Sequence, residues 1–302
     1  MPDSCVDLNP GTRCRPARAD PDGENPTRAR GVAWRTVLAL GLLAIATAAT
    51  ASAVDDVRLR IEGDAGSYLA WADNTLAGPV EVMLHGDHAG VRGEPALPAR
   101  ATVPAHSSVL VARVYPAPSP GSLGLRLRLE TVPGSVNARP RDYEYLFPLP
   151  AGEPRIEQAW GGRHSHANAE NRHAVDFAAA PGTVVFAARD GIVMRIRMAG
   201  PSATGRHGDA NLIRILHDDG SMAVYAHLQP GGALVQPGQR VRRGRPIGLS
   251  GNSGASSGPH LHFVVQVNRG MHLESIPFRM FGDRGILRFS EPAADSDPYR
   301  PL

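Results

Sequence analysis

After residue 54 the chain is built of short apolar runs with period-two alternation. None of them sustains the 3.6-residue period of an amphipathic helix of 12 residues or more. Runs at 57–61, 80–84, 108–114 and 123–129 are separated by Gly, Pro, Asn and Asp clusters, which predicts a small β-sandwich-like domain over 54–150. Pro148, Pro150 and Gly152 mark a linker. Beyond it, strands are expected over 183–187, 191–197, 211–217, 222–227 and 260–267, with Asp219-Gly220 and Pro237-Gly238 as turns. The expectation is an all-β protein whose C-terminal domain, 151–290, is an open antiparallel sheet, followed by a short tail over 291–302.

Composition agrees with this reading: 33 glycines, 27 prolines and 5% aromatic residues suit short strands and turns. The segment 235–248, with Pro237-Gly238 and Arg243-Gly244, resembles the hairpins of biotinyl/lipoyl-type folds. All 32 basic residues are arginine, however, so the segment is no carrier arm, and P-loop or Schiff-base lysine chemistry is excluded with it. A net charge of +3 over 302 residues gives little support to a nucleic-acid partner.

The N-terminus reads as an export signal. Residues 36–54 carry no charge, Arg28, Arg30 and Arg35 precede them, and Ala51-Ser52-Ala53 supplies a small-x-small cleavage site. Residues 1–53 are therefore read as leader and signal peptide, with an uncleaved anchor as the alternative. Cleavage would remove Cys5 and Cys14, six arginines and five acidic residues, leaving a cysteine-free chain of net charge +2. Any metal it binds must then use His, Asp or Glu.

Nine of the 12 histidines fall between 164 and 272. His260-Leu261-His262 is an i, i+2 pair inside an expected strand, so both imidazoles leave one face of the sheet. A strand face seldom buries two histidines unless their ring nitrogens find partners. The Gly/Ser-rich loop at 250–259 precedes them and allows close backbone approach. Asp176, between Val175 and Phe177, also needs a partner if its strand is buried, and His227 closes another strand. Two His and one Asp on zinc, with a fourth position left for water, is a catalytic stoichiometry. His85, His88, His106, His207 and His272 read as surface, turn or loop residues, and His217 as a strand-end residue packed near a turn.

The blocks His173-Ala-Val-Asp176-Phe, Pro181-Gly-Thr-Val-Val, Ala187-Ala-Arg-Asp-Gly191, Tyr225-Ala-His-Leu228, Gly238-Gln-Arg-Val241 and Ser257-Gly-Pro-His-Leu-His-Phe263 resemble lysostaphin/LytM-type zinc metallopeptidases over about residues 158–270. The resemblance implies zinc held by Asp176 and His262, with His260 and His227 lining the site and assisting catalysis. The usual H-x-x-x-D pattern would place the first ligand at 172, which is Arg172 here. A variant group of the family carries Ser-His ahead of an Ala-Val-Asp-Phe block, which favours His166 and leaves His173 and His164 as alternatives. His173 stands at an odd offset from Asp176, so in a strand the two point to opposite faces. Val264 stands where an acidic residue is frequent in the family.

What the resemblance implies is an exported, periplasmic or extracellular zinc endopeptidase acting on cell-wall peptidoglycan. The rival expectation is a catalytically silent envelope protein of the same fold that activates a separate wall hydrolase.

Overall fold

The computed structural model describes residues 4–8, 56–86, 91–115, 125–152, 155–162, 165–198, 210–282 and 284–289. The apolar core of the expected signal segment, the tail from 291, His88, His164 and His207 lie outside the described residues. Among the described residues every regular element is a strand, as the short alternating runs require.

Two four-stranded sheets precede residue 140. One orders Ser4–Leu8, Leu125–Pro133, Val80–Gly86 and Ala99–Val103; the other orders Val57–Asp64, Ser67–Asn74, Ser108–Tyr115 and Arg92–Glu94. Leu59, Val82, Leu84, Val114, Leu127 and Leu129 from both sheets share one hydrophobic cluster, which Met194, Met222 and Leu273 of the C-terminal region also join.

The C-terminal region is organised by a larger, wholly antiparallel sheet in the order Ile156–Gln158, Val175–Ala178, His260–Asn268, Met222–Ala226, Leu212–Leu216, Gly191–Arg197 and Arg240–Val241. Leu273–Ser275 pairs with the distal half of His260–Asn268. Val184–Phe186, Pro246–Ser250 and Leu228–Ala233 make a separate three-stranded antiparallel sheet. Neither sheet closes into a barrel. Glu144–Leu146 pairs in parallel with Arg279–Gly282, and Tyr145, Phe147 and Leu149 belong to the C-terminal core.

Period-two alternation gives the large sheet two different faces. Val175, Phe177, Ile213, Ile215, Ala223, Tyr225, Leu261, Phe263 and Val265 pack into the main core. Phe177, Tyr225 and Phe263 are fully buried there, each contributing about 1.5–3 kcal/mol of transfer free energy. Alternate residues point the other way. Ala174, Leu212, Val224, Ala226 and Val264 form a small apolar floor, and Asp176, His260 and His262 stand on the same side. The polar site is therefore a by-product of strand periodicity: it is built from residues that do not point into the main core.

Candidate metal centre

Strand register brings the first two groups together. Asp176 pairs directly opposite His262, and Ala178 opposite His260, in the antiparallel pair of Val175–Ala178 with His260–Asn268. Directly opposed residues have Cβ atoms about 5 Å apart, within reach of a carboxylate and an imidazole. Asp176 Oδ1 lies 2.8 Å from His262 Nδ1 and 3.7 Å from His260 Nε2.

His166 arrives from a loop. Its backbone N–H donates to Gly162 O (3.0 Å), and its ring is fully buried. Nδ1 lies 2.9 Å from Ala159 O; a carbonyl only accepts, so Nδ1 carries the proton and Nε2 holds the lone pair. Nε2 lies 3.3 Å from Asp176 Oδ2 yet is not aligned with any hydrogen-bond partner. Gln158, on the neighbouring strand Ile156–Gln158, donates Nε2–H to Ser165 Oγ (2.7 Å) and Asp176 Oδ2 (3.2 Å), holding the carboxylate and the His166 loop together. Gly162 admits this arrangement, because a Cβ there would sit 2.2 Å from Gln158 Cγ.

Among the described residues, His166, Asp176 and His262 form a cluster whose ligand atoms all lie within 4.8 Å of one another. His166 Nε2 is a buried nitrogen with no hydrogen-bond partner that converges with His262 and the Asp176 carboxylate, and a divalent metal that accepts N and O donors fits this set. Burial pushes the Asp176 carboxyl up, but the contacts with His166 and His262 outweigh it and hold the group below the usual carboxylate range.

Two further imidazoles flank the cluster. His260 Nδ1 donates to Gly258 O (2.8 Å), with Ser256 Oγ 3.2 Å away, and so leaves Nε2 as the lone pair facing Asp176. His227 Nδ1 donates to Ser253 O (2.7 Å). It has a positive φ of 61°, the left-handed region in which L residues are strained, so the chain turns sharply as it leaves Met222–Ala226. The ring then lies 4.5 Å from His260 and 5.8 Å from His262, centroid to centroid. Burial pushes the His227 imidazole down to about 4, so it is neutral at pH 7. Asn211 ties the supporting loop in place: its amide donates to Leu228 O, while Ser253 Oγ accepts from its backbone N–H.

His173 lies elsewhere. Its Nδ1 is 2.9 Å from Ser275 O, and its ring stands edge-on to Trp160 at 5.1 Å. His217 is buried against Asp190 O (2.8 Å), and His272 sits in a turn near Gly270 O (3.2 Å). Gln158, Asn171 and Ser256 also contact the site, and nothing in the sequence pattern singles them out. Each is a polar residue in or beside a loop, with no periodic signal; the Asn168–Asn171 spacing just ahead of the Asp176 strand is the one pattern that hints at a local turn.

The sequence profile of peptidase family M23 matches residues 170–273. The chain is 39% identical over 94 residues to an uncharacterized metalloprotease of Haemophilus influenzae, covering 31% of this chain and 18% of that protein. It is 42% identical over 93 residues to the peptidoglycan DD-endopeptidase ShyA of Vibrio cholerae, covering 30% and 19%. The chain thus spans about a fifth of the length of these relatives. Among solved structures it is 35% identical to the catalytic domain of the antimicrobial peptidase lysostaphin from Staphylococcus simulans, covering 42% of this chain and 78% of that one, with a TM-score of 0.26. By the profile match over residues 170–273, which contain Asp176 and His262, the chain belongs to peptidase family M23.

Proposed function

We propose that the protein is an exported zinc metalloendopeptidase that hydrolyses peptide bonds in peptidoglycan. The observation that carries this reading is the convergence of His166 Nε2, Asp176 and His262 within 4.8 Å, with the imidazoles of His227 and His260 beside them. The substrate class is taken from family relatives, one of which bears the name peptidoglycan DD-endopeptidase.

His166, Asp176 and His262 would hold the metal, and three protein ligands suit a catalytic rather than a closed structural zinc. Zinc, when bound, supplies Lewis acidity, polarising the scissile carbonyl and lowering the pKa of a coordinated water to about 7. His260 and His227 each anchor Nδ1–H on a backbone carbonyl and turn Nε2 to the site. A neutral imidazole so held accepts the proton of the attacking water and passes it to the leaving amine; protonated, it stabilises the developing oxyanion.

The finer organisation follows the same reading. Residues 1–53 direct export to the periplasm or beyond, 54–150 form a small sandwich-like accessory domain, and 151–290 form the peptidase domain, whose 235–248 segment is of biotinyl/lipoyl-hairpin type. Metal analysis of the full chain tests the reading: about one zinc per chain in the wild type and none in His166→Ala, with stem-peptide fragments released from purified sacculi, abolished by chelation and restored by zinc. Bound zinc without release from any wall preparation would favour the catalytically silent activator instead.

A further inference from the structure

We infer that Asn171 is a positioning residue that fixes the tautomer of His262 and thereby turns its Nδ1 lone pair to the metal. The inference rests on the zinc reading above, and it starts from a chain of hydrogen bonds whose donors and acceptors are determined one by one. The backbone N–H of Asn171 lies 2.9 Å from the Asn168 side chain, and a backbone N–H can only donate, so the Asn168 atom is its carbonyl Oδ1. The same Oδ1 is 3.1 Å from the Asn171 side chain, which must therefore present Nδ2 to it. The other end of the Asn171 amide, Oδ1, then faces His262 Nε2 at 3.2 Å.

An amide oxygen only accepts, so His262 Nε2–H donates to Asn171; Nδ1 also faces an acceptor, Asp176 Oδ1, and is the nitrogen that would yield its proton to a metal while Asn171 keeps the Nε2 proton in place. Nδ1 is the atom 2.8 Å from Asp176 Oδ1, inside the ligand cluster. An Nε2–H donated to an oxygen fixes ring rotation and raises the basicity of the opposite nitrogen, as partners of metal-bound histidines do. Ala159 O performs this service for His166, but through main chain that no substitution removes. Asn171 does it with a side chain, and Asn168 orients that side chain from the turn entering the Asp176 strand. The same turn thus sets the direction of the carboxylate strand and the tautomer of the histidine opposite it.

The test is zinc affinity of the full chain, measured by competition with a chromophoric chelator at fixed pH. Asn171→Ala is expected to weaken zinc binding about 10- to 100-fold. Asn171→Asp, which keeps an acceptor for Nε2–H, is expected to stay within about threefold of wild type, while the metal-free melting temperature of both stays near that of wild type. Nitrogen-detected imidazole NMR of the zinc-loaded wild type gives an independent reading that needs no variant, with a protonated Nε2 and a metal-shifted Nδ1 expected at His262. Unchanged zinc affinity in Asn171→Ala, equal losses in both variants, or the reverse tautomer in the wild type would overturn the assignment and leave the metallopeptidase reading standing. A wild type that binds no zinc would overturn that reading itself.

Discussion

Asp176 is the residue on which the site turns, because its carboxylate is buried and touches His166, His262 and Gln158 at once. Its position is legible in the sequence: a carboxylate between Val175 and Phe177 in an alternating run must leave the core face and meet a partner. The i, i+2 logic of His260 and His262 is legible for the same reason. Periodicity counts against His173, at an odd offset from Asp176, but does not single out His166, which reaches the cluster through loop geometry, anchored by Gly162 O and Ala159 O. A separate residue-scale prediction concerns His217, away from the cluster. Its burial pushes the imidazole down to about 4, against about 6.5 in an unfolded chain. Between these values the unfolded state binds more protons, so stability is complete above pH 6.5 and is lost as pH falls toward 4, by on the order of 3 kcal/mol. His217→Gln should therefore reduce the drop in urea midpoint between about pH 7 and pH 5; an unchanged drop would assign the acid sensitivity to other groups.

At the scale of elements, the strands that line the site emerge from pattern with small boundary shifts. Gly191–Arg197 has the expected bounds, while the expected 211–217 shortens to Leu212–Leu216 and 260–267 extends to Asn268. Ile156–Gln158, Leu273–Ser275 and the parallel pair of Glu144–Leu146 with Arg279–Gly282 are not legible. Each is only three or four residues long, too short for local alternation to leave a trace. Two glycines show how closely the loops approach these strands. A Cβ at Gly251, which bridges to His260, would lie 2.6 Å from Gln229 N and 2.8 Å from its Cα. Gly251→Ala should cost about 1–3 kcal/mol in denaturant stability and lower turnover by displacing the His227–His260 pair. Gly162→Ala should act on metal instead: the added methyl displaces Gln158 from Asp176, and calorimetric titration should show weaker zinc binding with a smaller stability loss.

Across the molecule, the two hydrophobic clusters meet rather than hang on a free linker. Met194, Met222 and Leu273 of the peptidase region sit in the N-terminal cluster, and Asn268 donates to Val132 O and Gly134 O, both at 3.2 Å. Asn268 ends the same strand that begins with His260 and His262, so Val132 and Gly134 hold the far end of the site strand. Asn268→Ala removes a fully buried amide and leaves carbonyls unpartnered, which should cost about 1–3 kcal/mol and reduce cooperativity in a calorimetric scan. At the centre of the proposed mechanism, His260 does chemistry at a metal it does not need to bind. Release of stem-peptide fragments from purified sacculi by His260→Ala, at zinc content matched to wild type, tests this most directly. The expected result is about one zinc per chain with release reduced by at least about 100-fold; undiminished release from that variant would contradict it.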